Sequence, residues 1–304
     1  MSIPKVAVII LNWNGRDDAL ETVSSLAKSN TQGFVMEIFV VDNGSNDGSQ
    51  EAIKKLKMEN LELIENGRNL GFAEGNNVGM RDALKKGFDF IALLNNDTIV
   101  DSNLVKNILQ EHKVHKDAGA ISAKIYFAKG YEFHKKYKKE ELGKVIWYAG
   151  GDIDWNNVYG SNHGVDETDH GQFDKVKETD FATGCFVTYK AKALKEVGLY
   201  DERYFAYMED ADHAQRMRKR GWKVLYSPKG VLWHKVAQSS GIGSELNDYF
   251  LTRNRMLFGL TYASLRTKFA LLKESIKLLL NGRKWQKIGI RDCYFGRFGK
   301  GSWK

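Results

Sequence analysis

Cysteine is scarce: Cys185 and Cys293 are the two in 304 residues, with no CxxC spacing. Neither a disulfide framework nor a zinc site is indicated. No apolar run is long enough to span a bilayer, and the N-terminus shows no secretory signal, so a cytoplasmic protein is expected. No GxGxxG follows the first apolar run, and no GxxxxGK[ST] occurs anywhere. Both absences argue against nicotinamide and P-loop enzymes. Internal repeats and low-complexity segments are missing too. Net positive charge is absent from the body: residues 1–240 hold 33 Lys+Arg against 34 Asp+Glu. A near-neutral body argues against nucleic acid as a partner. The net +8 resides in residues 241–304, with 13 Lys+Arg against 4 Asp+Glu.

What is present is ample apolar content, 42% of the chain, and a clear alternation. Residues 6–11 are an apolar, β-branched run broken by Asn12-Trp13-Asn14-Gly15. Asp18 with Glu21 resembles a helix capping box. Leu20, Val23, Leu26 and Ala27 then recur at helical spacing. A second strand over 37–41 ends at Asp42, and Ser49 is placed to cap a helix to about residue 56. A short strand at 61–64 and a Gly/Asn-rich loop at 66–77 precede a helix reaching Lys86. The continuous apolar run 90–94 then stops abruptly at Asn95-Asn96-Asp97. The pattern βαβαβαβ predicts a parallel, doubly wound α/β sheet. Further on, the sequence predicts a helix over 104–112, strands over 120–127 and 181–189, a helix over 209–219, and two short strands at 222–226 and 231–234. Residues 128–180 are charged, aromatic and Gly-rich without a period. That is too long for a plain connector, so the segment is expected to shape a site.

Three strands finish in polar groups: Asn12 and Asn14, Asp42, and Asn95 to Asp97. The C-terminal ends of parallel strands share one edge, which is where open α/β sheets bind ligands. Asn and Asp are also ordinary turn formers, so each alone is weak. Together they favour a nucleotide site, with a carboxylate available for a hard cation. Glu209, Asp210 and Asp212 lie close together. Neighbouring carboxylates raise one another's pKa, which suits one to general-base work; the plainer reading is an acidic helix N-terminus. His234 ends an apolar strand and can serve as a metal ligand.

In order and spacing, these residues resemble family 2 glycosyltransferases of the GT-A fold, particularly the rhamnosyltransferase-like branch. The carriers are Val8-Ile9-Ile10-Leu11-Asn12-Trp13-Asn14, Asp42-Asn43-Gly44-Ser45, Asn69-Leu70-Gly71-Phe72-Ala73-Glu74-Gly75-Asn76-Asn77, Leu94-Asn95-Asn96-Asp97, Ala182-Thr183-Gly184-Cys185, Glu209-Asp210-Ala211-Asp212 and Trp233-His234. The resemblance implies a Rossmann-like, mostly parallel sheet. It implies a GT-A domain over 1–240, with a nucleotide-binding half at 1–100 and an acceptor and catalytic half at 101–240. Residues 241–304 would form a helical basic extension. The implied reaction moves one sugar, with inversion, from a nucleoside-diphosphate sugar (UDP- or dTDP-linked) to a hydroxyl of a glycan or lipid-linked saccharide. Asp42 would read the base or ribose. Leu11, Asn12, Asn14, Asn69, Gly71, Asn76, Asn95, Asn96 and Asp97 would line the donor. Asp97 and His234 would hold Mg²⁺ or Mn²⁺. Thr183 and Gly184 would stand on the acceptor side, and Asp210, beside Glu209, would be the base. Asn95 departs from the family's Asp-x-Asp metal motif, since it offers only a neutral oxygen.

A sugar-nucleotide pyrophosphorylase would want a Gly-rich loop with Arg and Lys after the first strand, where Asn12-Trp13-Asn14-Gly15-Arg16 stands instead. A non-catalytic nucleotide-sugar-binding scaffold finds support in Asn95 and opposition in Asp97, Asp210 and His234. In the extension, Leu265, Phe269, Leu272, Ile276 and Leu279 fall on one helical face, away from Arg266, Lys273 and Lys277. Residues 261–304 thus present either a helix packed on the body, a peripheral contact with the inner face of the cell membrane, or an oligomer interface. Arg253 and Arg255 are expected to contact phosphate or to lie on a solvated helix face.

Overall fold

The computed structural model describes residues 3–134, 136–236 and 244–304. Lys135 and the expected 240/241 boundary lie outside the described residues. The first half runs β1 (Lys5–Asn12), α1 (Arg16–Leu26), β2 (Val35–Asp42), α2 (Ser49–Lys54), β3 (Leu61–Glu65), α3 (Gly71–Lys85) and β4 (Phe90–Asn95). This is the alternation the sequence predicts. The four strands are parallel in the order β3-β2-β1-β4. Val6 to Ile10 have no exposure at all. A strand covered on both faces has no use for polar residues, hence the unbroken apolar run.

The second half continues with β5 (Thr98–Val100), α4 (Leu104–Val114), β6 (Ala118–Phe127), β7 (Ile146–Tyr148), β8 (Gly151–Asp154), β9 (Tyr159–Asn162), β10 (Lys177–Glu178) and β11 (Phe186–Lys190). Then come α5 (Ala191–Val197), α6 (Glu209–Lys219), β12 (Lys223–His234), α7 (Glu245–Tyr262), α8 (Leu265–Asn281) and α9 (Lys284–Tyr294). β11 lies antiparallel between β4 and β6, and β12 runs parallel to β6. The sheet is therefore mixed but mostly parallel. Segment 128–180 supplies the hairpin β8-β9 and two short strands, β7 and β10, on the main sheet.

Several boundaries differ from expectation. Asp18 and Glu21 do not cap α1. Both are engaged by Lys235 Nζ, Asp18 at 2.7 Å, and the amide that opens α1, on Arg16, donates to Asp47 at 2.9 Å. Gly48, in the left-handed region, precedes α2, and Ser49 is its first helical residue, held by Asp47. Strand β11 starts at Phe186 rather than 181. The two short strands expected around Pro228 are one strand, with a register shift between Ser227 and Val231 that admits the proline.

Helices α7 to α9 share the core of the body. Met256, Leu257, Phe258, Leu271 and Ile290 belong to the same buried cluster as the sheet. A second cluster joins Phe205 to Tyr249, Phe250 and Trp285, with Trp303 packed on it.

Candidate active site

Register places the candidate groups side by side. Asn12 stands opposite Asp42, and Leu11 opposite Asn95. β11 enters from the same edge, so the Cys185 carbonyl takes the Asn95 amide at 2.9 Å. β12 ends there too, with His234 opposite Thr98 and Phe127. The expected convergence on one sheet edge is therefore met across both halves of the chain.

Asp42 has a different job from the one expected. Its carboxylate is fully buried and accepts from Asn12, Gly44, Ser45 and Gln50, at 2.7 to 3.2 Å. Asp42 organises the loop after β2; it is not open to a ligand. Asn12 is buried as well, and its amide oxygen accepts from Asn96 at 2.9 Å. Asn14 is exposed at the rim in the left-handed region, with its side chain accepting from the Asn46 amide. Leu11 packs under α3, where a Cβ on Gly75 would meet it at 2.6 Å.

The Gly/Asn-rich loop divides. Asn69 accepts from Asn43 and from the Gly71 amide. Gly71 has φ +85°, and the amides that follow, Phe72 and Ala73, both donate to the Phe205 carbonyl. Asn76, expected to line the donor, is instead buried and donates to the Phe72 carbonyl inside α3. It buttresses the helix and does not line the donor.

Asp97 and His234 form the candidate metal pair, Nε2 to Oδ1 at 3.0 Å, both buried. Burial pulls the His234 pKa down; the Cys185 thiol beside it and the Asp97 carboxylate outweigh that and hold it at about 10. Burial pushes the Cys185 thiol itself up. Trp147 meets the imidazole edge to face at 4.6 Å. Among the described residues no cluster of three or more His, Cys, Asp or Glu could hold a metal. One carboxylate and one imidazole nevertheless fit a divalent cation that displaces the His234 proton and takes its remaining ligands from water and substrate phosphates.

Glu209 and Asp210 open α6. Asp210 accepts from the Gly184 amide at 3.3 Å and from Ala211 at 2.7 Å. Burial raises its pKa, opposed by those amides. Glu209 is raised well above the carboxylate range, by burial and then by the Asp210 charge. Its Oε2 has no hydrogen-bond partner among the described residues. The segment before α6 is strained, with Phe205, Tyr207 and Met208 all at positive φ. Such strain persists only where surrounding structure enforces it. Here α7 does so: buried Asn254 donates to the carbonyls of Tyr204, Ala206 and Tyr207, and fully buried Arg253 donates to those of Arg203, Tyr204 and Gly299. Arg253 and Arg255 therefore meet neither phosphate nor open solvent, since Arg255 clasps Glu274 and the Asn157 carbonyl.

One cavity of about 490 Å³ collects these groups. Asn95, Thr183, Gly184, Glu209, Asp210 and His234 line it, and Trp147, Ile153 and Asn162 come from segment 128–180. Phe72, Phe181 and Leu251 make the wall largely apolar. Sequence reasoning missed these aromatic and aliphatic walls and the Arg253-Asn254 clamp. Neither carries a local pattern, and the partners of the clamp are 46 to 50 residues away in the chain.

A mixed α/β sheet with polar strand ends, a carboxylate–imidazole pair and a buried carboxyl pair at one cavity defines a GT-A-type glycosyltransferase. The chain belongs to glycosyl transferase family 2, whose model matches residues 7–198. It is 25% identical over 215 residues to the N-acetylglucosaminyl-diphospho-decaprenol L-rhamnosyltransferase of Mycobacterium tuberculosis, covering 68% of each chain. It is 23% identical over 237 residues to the poly-beta-1,6-N-acetyl-D-glucosamine synthase of Staphylococcus aureus. That match covers 78% of this chain and 51% of the synthase. Among solved structures, the mannosyltransferase PcManGT of Pyrobaculum calidifontis, in complex with GDP-Man and Mn²⁺, superposes with a TM-score of 0.57 at 15% identity, over 97% of this chain and 75% of that one. GalNAc-T7, with UDP, GalNAc and Mn²⁺, gives 0.63 at 18%, over 97% and 57%. At these identities the two structures show the fold alone.

Proposed function

We propose that the protein transfers one sugar, with inversion, from a nucleoside-diphosphate sugar to a hydroxyl of a glycan or lipid-linked saccharide at the cytoplasmic side of the membrane. The observation that carries this reading is the single cavity shared by Asp210, Glu209, Asn95 and His234. The donor would lie along the strand edge, beside Leu11, Asn14 and Asn96, with buried Asn12 fixing Asn96 from beneath, Asn69 and Gly71 at its side and its diphosphate toward Asn95 and Asp97. Mg²⁺ or Mn²⁺ held by Asp97 and His234 would supply Lewis-acid neutralisation of the leaving diphosphate. The Mn²⁺ in both solved structures and the donor chemistry of the pair support such an ion.

Asp210 takes the proton from the acceptor hydroxyl, whose oxygen attacks the anomeric carbon. The bond from that carbon to the diphosphate oxygen breaks, and nucleoside diphosphate leaves. Burial raises the Asp210 pKa above its ordinary value, which suits a base. Two bonds from Ala211 and Gly184 fix its oxygens. Burial raises the Glu209 pKa well above its ordinary value, which favours the neutral acid at the same wall. Thr183 and Gly184, with the apolar walls from segment 128–180, would receive the acceptor. The rhamnosyl and N-acetylglucosaminyl names of the relatives support a saccharide on that side.

The test is Asp210→Asn assayed with UDP- and dTDP-sugars and Mn²⁺. Thermal stabilisation by donor should persist while transfer falls about 10²–10⁴-fold. Wild-type kcat/KM should drop as pH falls through the raised Asp210 pKa, because protonation removes the base. Wild-type turnover in the variant would sink the assignment.

A further inference from the structure

Helix α8 turns its larger apolar side chains outward. Its buried residues are modest: Thr267, Leu271 and Ser275. Leu265, Phe269, Ile276 and Leu280 are instead 75, 70, 57 and 69% exposed. At 100° per residue these four fall within a stripe about 60° wide. Leu272 and Leu279, expected on the same face, are half-buried at its edge. Arg266, Lys273 and Lys277, all exposed, form a cationic row within about 60° of the other edge. The one carboxylate of α8, Glu274, is drawn to the opposite side by Arg255, at 2.7 and 2.8 Å. A helix made to pack on its own protein would bury the stripe that this one shows to solvent.

We propose that this face of α8 rests on an anionic lipid surface, with the four apolar side chains entering the headgroup boundary and the cationic row on lipid phosphates. The pattern is that of an interfacial helix, apolar on one side and Lys/Arg-rich beside it. Charge distribution favours this occupant. The excess positive charge of the chain sits in residues 241–304, while the rest is near neutral. A second copy would be a poor fit, because a two-fold contact brings the same cationic row close to its own copy. The opposite side of α8 is the one tied toward the cavity, through α7, which carries Leu251 on the cavity wall and Arg255 on Glu274, so the stripe is left facing outward. The inference goes beyond the transferase reading and does not depend on it.

The experiment is co-sedimentation of the full chain with phosphatidylcholine vesicles, with and without phosphatidylglycerol, at low and high salt. The wild type should bind only the anionic vesicles, and less at high salt. Phe269→Ser with Ile276→Ser should lower the bound fraction about tenfold or more at low salt. Lys273→Glu with Lys277→Glu should remove the preference for anionic lipid. The positions are exposed and outside the cavity, so unchanged melting temperatures serve as the folding control. No wild-type binding at low salt overturns the proposal, as does wild-type binding by both double variants. A wild-type dimer in sedimentation velocity, without vesicle binding, that Phe269→Ser with Ile276→Ser converts to monomer would assign the face to a second copy instead.

Discussion

Asn254 shows how much one side chain can organise. Its amide donates to three carbonyls in succession, Tyr204, Ala206 and Tyr207, at 2.7 to 2.9 Å. Those carbonyls belong to the positive-φ segment that delivers Glu209 and Asp210 to the cavity. Nothing in an Arg-Asn-Arg run on a helix announces this, because the acceptors are main-chain atoms about 50 residues back. Asn254→Ala leaves buried carbonyls short of donors, which costs about 1–3 kcal/mol of stability. It also frees the strained segment to relax. The expected outcome is a lower urea midpoint with kcat reduced more than donor affinity, measured by denaturation, transfer and thermal shift. A midpoint loss with unchanged kcat would leave Asn254 a packing residue only.

At the scale of elements, the site is the meeting of α3, α6 and the edge of the sheet, and Gly71 is where α3 touches the segment that leads into α6. A Cβ there would come within 2.5 Å of the Phe205 ring and 2.6 Å of its carbonyl, and φ is already +85°. The first amides of α3 close on that same carbonyl. Gly71→Ala should therefore cost about 1–3 kcal/mol and reduce transfer by displacing the segment before α6. Gly33→Ala is the comparison: its φ is +91° but nothing lies within 4 Å, so only backbone strain is added. Equal midpoints in guanidinium for the two variants would rule out the close approach as the cause.

Sequence legibility follows the same division. The strands and helices of the first half were readable because apolar periodicity is local. The polar strand ends were readable because a parallel sheet sends them to one edge. Asp97 and His234 stood at such ends, while Asp210 opens α6. Asp42 and Asn76 looked identical in character but turn inward, since burial depends on neighbours that no local pattern names. The cap of α1 was misread for the same reason: Asp47 lies 31 residues from the Arg16 amide it accepts.

For the whole molecule the question is whether α8 and α9 are an appendage or part of the body. A basic extension suggests the former, yet Leu271, Trp285 and Ile290 are buried in clusters that include body residues. The last residues also return to the body. The Gly299 amide donates to the Arg203 carbonyl at 2.9 Å, its carbonyl accepts from Arg253 at 2.6 Å, and Trp303 stacks against Tyr249. Each large buried apolar side chain is worth about 1.5–3 kcal/mol. Three of them amount to a large part of a typical stability of about 5–15 kcal/mol. Arg253 would lose an acceptor and become hydrated, loosening its hold on the segment before α6. A chain ending at Leu260 should therefore melt far below the full-length protein, or lack a cooperative transition, with transfer lost in the absence of any lipid. Calorimetry of the two chains reads this directly. A wild-type melting temperature in the shortened chain would mean that the packing of α8 and α9 adds nothing to the fold. Loss of vesicle binding on truncation would in that case report on the anchor alone; with the expected loss of stability, only the point variants on the exposed stripe can do so.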